Sequence, residues 1–462
     1  MTSTRSLRVA VVGSGPAGFY AAGQLLGHDP PVEVDLFDRL PTPWGLVRLG
    51  VAPDHPNIKA VSRVFERIAQ RPGFRFFGNV EIGRDLAPAE LALLYDAVIY
   101  SVGSQTDRRL EIPGEDLPGS WPATAFVAWY NAHPDFQGLP FDLSSGRAVV
   151  IGNGNVAVDV ARMLALAPDE LGPTDTADDA VAAIVAAGIE EIVVLGRRGP
   201  AQAAFTTPEL IELTELAGAD LIIDPADLEL DPASAAALED DTALARRNLE
   251  VLREAAATPP AGKPKRVVLR FCVSPVAILG EDAVEAVEVV RNELVADGQG
   301  RISAVATSER EVIPCGLVLR SVGYQGVAIP GLPFDESRAT MTNRGGRCAD
   351  EAGAVIPGLY CAGWIKRGPS GVIGTNKKDA NETVTLLLED AAAGLLERED
   401  DSDVADLLAA RGVTPVTQLG WQAIDAHERG LGEAQGRPRV KLGRWDELLE
   451  TAGAQARTMP SP

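Results

Sequence analysis

Two short stretches carry residues whose types and spacing suit the handling of a dinucleotide. In LRVAVVGSGPAGFYAAGQLL, Gly13-x-Gly15-x-x-Gly18 follows β-branched and apolar residues and opens an alanine-rich run with helical spacing. In a strand–turn–helix of this kind the first glycine allows the tight turn and the second lets a pyrophosphate approach the backbone. The third lets the helix pack close to the sheet. The helix N-terminus then offers free N–H groups and a positive dipole end to the phosphates. Twenty residues beyond Gly18 the apolar run VEVDLFD ends in Asp38, an acid that fits a ribose carrying no 2′-phosphate. Taken alone, the loop also reads as a glycine turn in an unrelated α/β fold.

The pattern recurs in RAVVIGNGNVAVDVARML, where Gly152-x-Gly154-x-x-Ala157 again joins an apolar strand to a helix; alanine is tolerated as the third residue. The strand that closes this second unit, EEIVVLGRR, lies about 40 residues on, beyond an insertion rich in Ala and Asp at 167–190. It ends in Arg197 and Arg198 where an acid would usually stand. An acid repels a 2′-phosphate, whereas guanidinium forks hold one by charge-assisted bidentate bonds. At roughly 1.5–3 kcal/mol per bond, two arginines yield a preference of about 10²-fold or more for NADP over NAD. The pairing of an FAD-like with an NADPH-like nucleotide implies hydride transfer from nicotinamide to flavin.

The elements that must position these loops make an α/β protein. We expect two Rossmann-like, doubly wound, three-layer domains, the second inserted into the first. After residue 310, CGLVLRSVGYQG reads as a strand and glycine turn, and IPGLYCAGWIKRGPSGVIGTNKKDANETVTLLL as a strand, a Gly/Pro loop and a long helix. The N-terminus of that helix could face the pyrimidine edge of a flavin and stabilise negative charge on its reduced form; a plain crossover connection is the other reading.

Bulk composition narrows the function classes. The chain has 462 residues, 46% hydrophobic and 23% charged, as in an ordinary globular protein of two or three domains. No apolar run reaches membrane-spanning length, and the early entry into a strand near Leu7 predicts no signal peptide and a cytoplasmic location. The four cysteines form no CxxC pair and the four histidines lie far apart in sequence, so neither a redox disulfide nor a metal site is expected. A net charge of −23 argues against nucleic-acid binding. Eleven acids and no Lys or Arg fall between Glu209 and Asp241, after which the sign reverses with Arg246, Arg247, Arg253, Lys263, Lys265, Arg266 and Arg270. Such runs are usually solvated faces, though an abrupt reversal can also set the register of a charged partner.

The stretches GSGPAGFYAA, LPTPWGLVRLGVAPDHP, FRFFGNVEIG, IPGEDLPGS, FVAWYNAHP, VVIGNGNVAVDVAR, GRRGPAQAAFT, RSVGY and GWIKRGPSGVIGTNKKDA together resemble the adrenodoxin-reductase-like NADPH–ferredoxin reductases, most closely the mycobacterial members. The resemblance implies a FAD domain formed by 1–104 and 325–395, an NADP domain at 105–324, and a tail at 396–462 appended to the FAD domain. It places FAD contacts at Pro16, Asp38, Leu46, Val80, Trp364, Gly371, Val372 and Ile373. NADP contacts fall at Asn153, Gly154, Asn155, Val156, Arg197, Arg198, Glu209 and Gly371. His55 and Glu212 match positions near the nicotinamide–flavin contact, where a catalytic or a structural role is open; Asp159 could join that polar network. The implied partner is a small acidic ferredoxin, docking near Arg246, Arg247 and Arg253 on a monomeric protein. Two rivals stay open: another FAD/NADPH oxidoreductase with a different acceptor, and an NADP-sensing protein without turnover.

Overall fold

The computed structural model describes residues 6–240, 243–297 and 301–456, with side chains except at 239–240 and 454–456. It divides into two compact units, one from residues 1–106, 323–435 and 439–462, the other from 107–322 with 436–438. Both are α/β units built on parallel sheets.

In the first unit the strands run in the order Asn343–Arg344, Arg347–Ala349, Val355–Cys361, Ala97–Tyr100, Leu7–Val12, Val32–Phe37 and Phe74–Phe77. The five from Val355–Cys361 onward are parallel. Leu7–Val12 is apolar throughout because both faces of a central parallel strand are covered. Val9 and Val11 point into a cluster with Ala17, Ala21 and Leu25 of the helix Pro16–Leu25 and Ala380 and Val384 of the helix Ile373–Ala392. Ala10 and Val12 enter the opposite cluster, with Leu91, Leu94, Val404 and Leu408. Residues 396–456 contribute to both layers, since Trp421, Ile424 and Leu448 complete the first cluster.

The second unit has a parallel sheet in the order Ser120–Pro122, Leu317–Arg320, Arg147–Ile151, Glu191–Leu195, Lys265–Arg270 and Ala219–Ile223. Helices cover one face through Phe126, Val158, Ala161, Leu210 and Leu252. The third layer is not helical. An antiparallel meander, Val273–Leu279, Ala286–Ala296 and Ile302–Pro314, covers the other face, with Val287 and Val289 packed on Val149, Val193 and Val318. The insertion at 167–190 forms the short helices Pro168–Leu171 and Asp178–Val185. Arg437, which belongs to this unit, donates to the Thr174 carbonyl at 2.9 Å and pairs with Asp178 at 2.5 Å. Among the described residues no helix is long and apolar enough to cross a membrane.

Candidate functional site

The first glycine loop is glycine where the backbone demands it and empty where a ligand needs room. Gly13 has φ +103°, and a Cβ there would lie 2.6 Å from the Ser101 carbonyl oxygen. At Gly18 a Cβ would sit 2.0 Å from the Gly13 oxygen, closer than any rotation of a side chain could relieve. Gly15 differs: a Cβ there meets nothing within 4 Å. It caps the helix Pro16–Leu25 without a side-chain bond, so open space lies over unsatisfied N–H groups. Asp38, just past Val32–Phe37, turns its carboxylate towards this loop. Its Oδ2 accepts the Ser14 N–H at 2.9 Å and the Ser14 hydroxyl, and its Oδ1 accepts the Leu40 N–H at 2.9 Å. Burial pushes its carboxyl above the usual range in spite of these bonds. Asp38 therefore pins the loop, and a ribose hydroxyl would be an additional partner.

The segment PWGLVR folds over the loop. Trp44 and Gly45 both have positive φ, 85° and 50°. The Trp44 N–H donates to the Ser14 carbonyl at 2.9 Å, and a Cβ on Gly45 would lie 3.0 Å from Gly15 Cα. Leu46 follows as the first residue of the short helix Leu46–Leu49, 39% exposed. Val80 is buried and its N–H donates to the Asp38 carbonyl. His55, also buried, precedes the turn Pro56–Lys59. From the other end of the chain, Val355–Cys361 leads through Gly363, where a Cβ would lie 2.7 Å from Ala17 Cβ, to Trp364. The Trp364 indole N–H is buried with no partner among the described residues, and its ring tilts against Tyr324 at 5.3 Å. Gly371, at φ +81°, precedes Val372 (61% exposed) and Ile373, which open the helix Ile373–Ala392.

The second loop repeats the construction. Gly152 has φ +129° and would bring a Cβ to 2.1 Å from the Ser321 oxygen, while a Cβ on Gly154 meets nothing within 4 Å. Ala157 is fully buried against the sheet. The Asn153 carbonyl accepts the Ala204 N–H at 3.1 Å, and Asn155 Oδ1 accepts the Thr206 N–H at 2.8 Å. Val156 sits half-buried in the first turn of the helix Asn155–Ala165. Arg197 and Arg198 leave the end of Glu191–Leu195 with their carbonyls tied down, by the Asn292 amide at 2.8 Å and the Cys272 N–H at 3.0 Å. Among the described residues neither guanidinium has an acidic partner. Burial, then the charge of Arg197, lowers the Arg198 pKa: the pair lacks an anion. Arg198 also lines a cavity of about 420 Å³ with Gln202, Ser234, Leu244, Asn248 and Ile302.

Asp159, Glu209 and Glu212 converge on Arg162, a residue the sequence reading passed over. Arg162, buried in the helix Asn155–Ala165, places Nη2 2.6 Å from Asp159 and 3.9 Å from Glu209, and Nε 3.4 Å from Glu212. Burial lowers its pKa, and Glu212 and then Glu209 oppose that shift. These three acids lie in the second unit and His55 in the first.

The basic stretch is less available than its sequence suggests. Lys263 and Lys265 donate to the carbonyls of Leu216 and Leu164, Arg266 pairs with Glu191, and Arg270 pairs with Glu311 at 3.0 Å. Arg246, Arg247 and Arg253 remain on the exposed side of the helix Ala243–Ala257, whose other side buries Asn248, Leu249, Val251 and Leu252. Arg247 pairs with Glu250 at 3.0 Å.

Residues 7–172 match the pyridine nucleotide-disulphide oxidoreductase family. The whole chain is 52% identical over 458 residues to the NADPH-ferredoxin reductase FprA of Mycobacterium tuberculosis, which covers 96% of this chain and 99% of that protein. A solved structure of that protein in complex with NADPH matches with a TM-score of 0.91, at 52% identity, over 97% of this chain and 100% of the other. The chain belongs to the NADPH–ferredoxin reductase family. The mitochondrial NADPH:adrenodoxin oxidoreductase of Arabidopsis thaliana is a more distant member, 41% identical over 466 residues and covering 97% of this chain and 96% of that one.

The residues present fit the family's two nucleotides. Bare space above Gly15, the orphan indole N–H of Trp364 and the exposed start of Ile373–Ala392 suit FAD. Space above Gly154 and the Arg197–Arg198 pair, whose guanidinium groups have no acidic partner among the described residues, suit NADPH. Arg367 was missed although it stands in the quoted GWIKRGP stretch. Its Nη2 donates to the Ser370 carbonyl and Asn376, while Nε and Nη1 are buried with no partner among the described residues.

Proposed function

We propose that this chain oxidises NADPH and delivers the electrons one at a time to a ferredoxin-type iron–sulfur protein. The observation that carries this reading is the pair of glycine loops, each open at its second glycine, of which the second is followed by two arginines with no acidic partner among the described residues. When bound, FAD supplies the exchange between a two-electron donor and a one-electron acceptor. Gly13, Gly15, Gly18, Pro16 and Asp38 form its pyrophosphate and ribose cradle. Leu46, Val80, Trp364 and Gly371 through Ile373 line the rest.

Gly152 through Val156 hold the NADPH pyrophosphate, and Arg197 and Arg198 its 2′-phosphate, with the adenosine end in the cavity beside Arg198. Asp159, Glu209 and Glu212 share the charge of Arg162, which compensates the buried guanidinium and the buried Glu209 and orders that side of the loop. His55 is buried just before Pro56–Lys59, seven residues past the PWGLVR segment; its role in turnover is one of positioning. A ferredoxin docks on Arg246, Arg247 and Arg253, three exposed cations that an acidic partner can neutralise despite the overall negative charge. We read the protein as a cytoplasmic monomer.

The test is turnover with a reduced-ferredoxin readout. NADPH should drive reduction of an acidic two-iron or four-iron ferredoxin, and hence of cytochrome c, at catalytic rates. Brisk reduction of ferricyanide with no ferredoxin-dependent rate would replace the ferredoxin with another acceptor. No turnover with any acceptor would leave an NADP-sensing protein.

A further inference from the structure

The tail was given no role by its sequence, yet it grips the loop that lies on Gly15. Glu428, in the helix Gln418–Glu433, is fully buried and binds both ends of the Arg48 guanidinium, at 2.8 Å and 2.5 Å. It also accepts from Arg439 at 3.1 Å and from the Leu442 N–H at 2.8 Å. Lys441, buried as well, donates to the Arg48 carbonyl at 3.0 Å. Trp421 meets Trp44 edge-on at 4.8 Å, with Arg48 over Trp421 and Arg439 over Trp44. Farther along, Trp445 lies under Arg39, the neighbour of Asp38.

Burial pushes the Glu428 carboxyl up, but Arg48 and Arg439 more than offset this and hold it below the usual range. A buried ionic network is a poor source of net stability, and in some proteins it serves instead to enforce one arrangement. Here the arrangement enforced is a strained one, the non-glycine Trp44 at φ 85°, and such strain persists only when the surroundings over-determine it.

We propose that the C-terminal segment clamps the flavin-binding loop, with Glu428 as the positioning residue that holds Arg48, and through it Trp44 to Leu46, against Gly15. The proposal rests on FAD occupying the first glycine loop. Loss of the clamp would leave FAD to order that loop on binding, at the expense of affinity.

The experiment compares full-length wild type with Glu428→Gln. FAD is removed and its dissociation constant measured by flavin fluorescence quenching, alongside the Tm of each apoprotein and the NADPH affinity. The clamp requires FAD to bind at least about tenfold more weakly to the variant, with a changed visible circular-dichroism band of the bound flavin and an unchanged NADPH affinity. A lower apoprotein Tm with the FAD dissociation constant and the band unchanged overturns it. Should Glu428→Gln prove insoluble, Lys441→Met decides: threefold or more weakening of FAD supports the clamp, and none overturns it. A wild type that binds no FAD refutes instead the assignment of the first loop.

Discussion

Replacing Arg197 and Arg198 with alanine tests the nucleotide selection at its source. A charge-assisted bond of this kind is worth about 1.5–3 kcal/mol. Arg197 is exposed and Arg198 only half-buried, so solvent screens both and the lower end applies. Two such bonds give about 3 kcal/mol, roughly 10²-fold in kcat/KM for NADPH. The backbone of the pair is held by Asn292 and Cys272, so truncating the side chains leaves the loop in place, and kcat/KM for NADH should change less than about threefold. Steady-state ferricyanide reduction with each nicotinamide measures both. A phosphomonoester dianion takes up a proton at about pH 6 and loses half its charge, so the wild-type preference for NADPH should shrink below that pH and that of the double variant should not. Equal losses for NADPH and NADH would refute a 2′-phosphate grip.

Three further outcomes follow from other parts of the structure. Gly15→Ala and Gly154→Ala should each fold with the Tm of the wild-type apoprotein, since an added Cβ meets no atom of the described residues within 4 Å; with ligands present the first should lose FAD, and the stabilisation FAD gives, and the second should weaken NADPH. Gly18→Ala, 2.0 Å from the Gly13 oxygen, should lower Tm as well, and equal Tm for all three would contradict the cradle geometry. Asp107 pairs with the Thr124 hydroxyl, and burial raises its pKa to about 7, with Arg320 opposing. The folded form thus keeps a proton that the unfolded chain gives up near the ordinary carboxyl value of 3.8. Its contribution is complete below that pH and is lost as pH rises through 7. Asp107→Asn should flatten this fall of Tm between pH 4 and 8, and parallel profiles would contradict it. Arg246→Glu with Arg247→Glu should cut the ratio of ferredoxin-linked to ferricyanide-linked turnover about tenfold at low salt and less at high salt; an unchanged ratio places docking elsewhere.

Both glycine loops were readable from the sequence because their chemistry is local. Gly13 and Gly152 need positive φ and close approach to a neighbouring strand, and no other residue type satisfies that. Arg197 and Arg198 were readable for the same reason, as an exception at a position set by the strand before it. What sequence hid was long-range pairing. Arg48 and Glu428 lie 380 residues apart, and a buried arginine and glutamate look in sequence like any surface pair. Arg162 looks like a helix-surface arginine until three acids are seen around it. The basic stretch was misleading in the opposite sense: Lys263, Lys265, Arg266 and Arg270 are spent on carbonyls and acids of their own unit. The meander Val273–Pro314 carries β-branched alternation, but nothing local says that it replaces a helical layer.

The most direct measurement is an anaerobic absorbance titration of the purified full-length protein. The protein should be yellow from bound FAD, and one equivalent of NADPH should bleach it rapidly while NADH does so far more slowly. A protein that stays colourless after incubation with FAD, or whose flavin responds alike to both nicotinamides, would contradict two unlike nucleotide cradles in one chain.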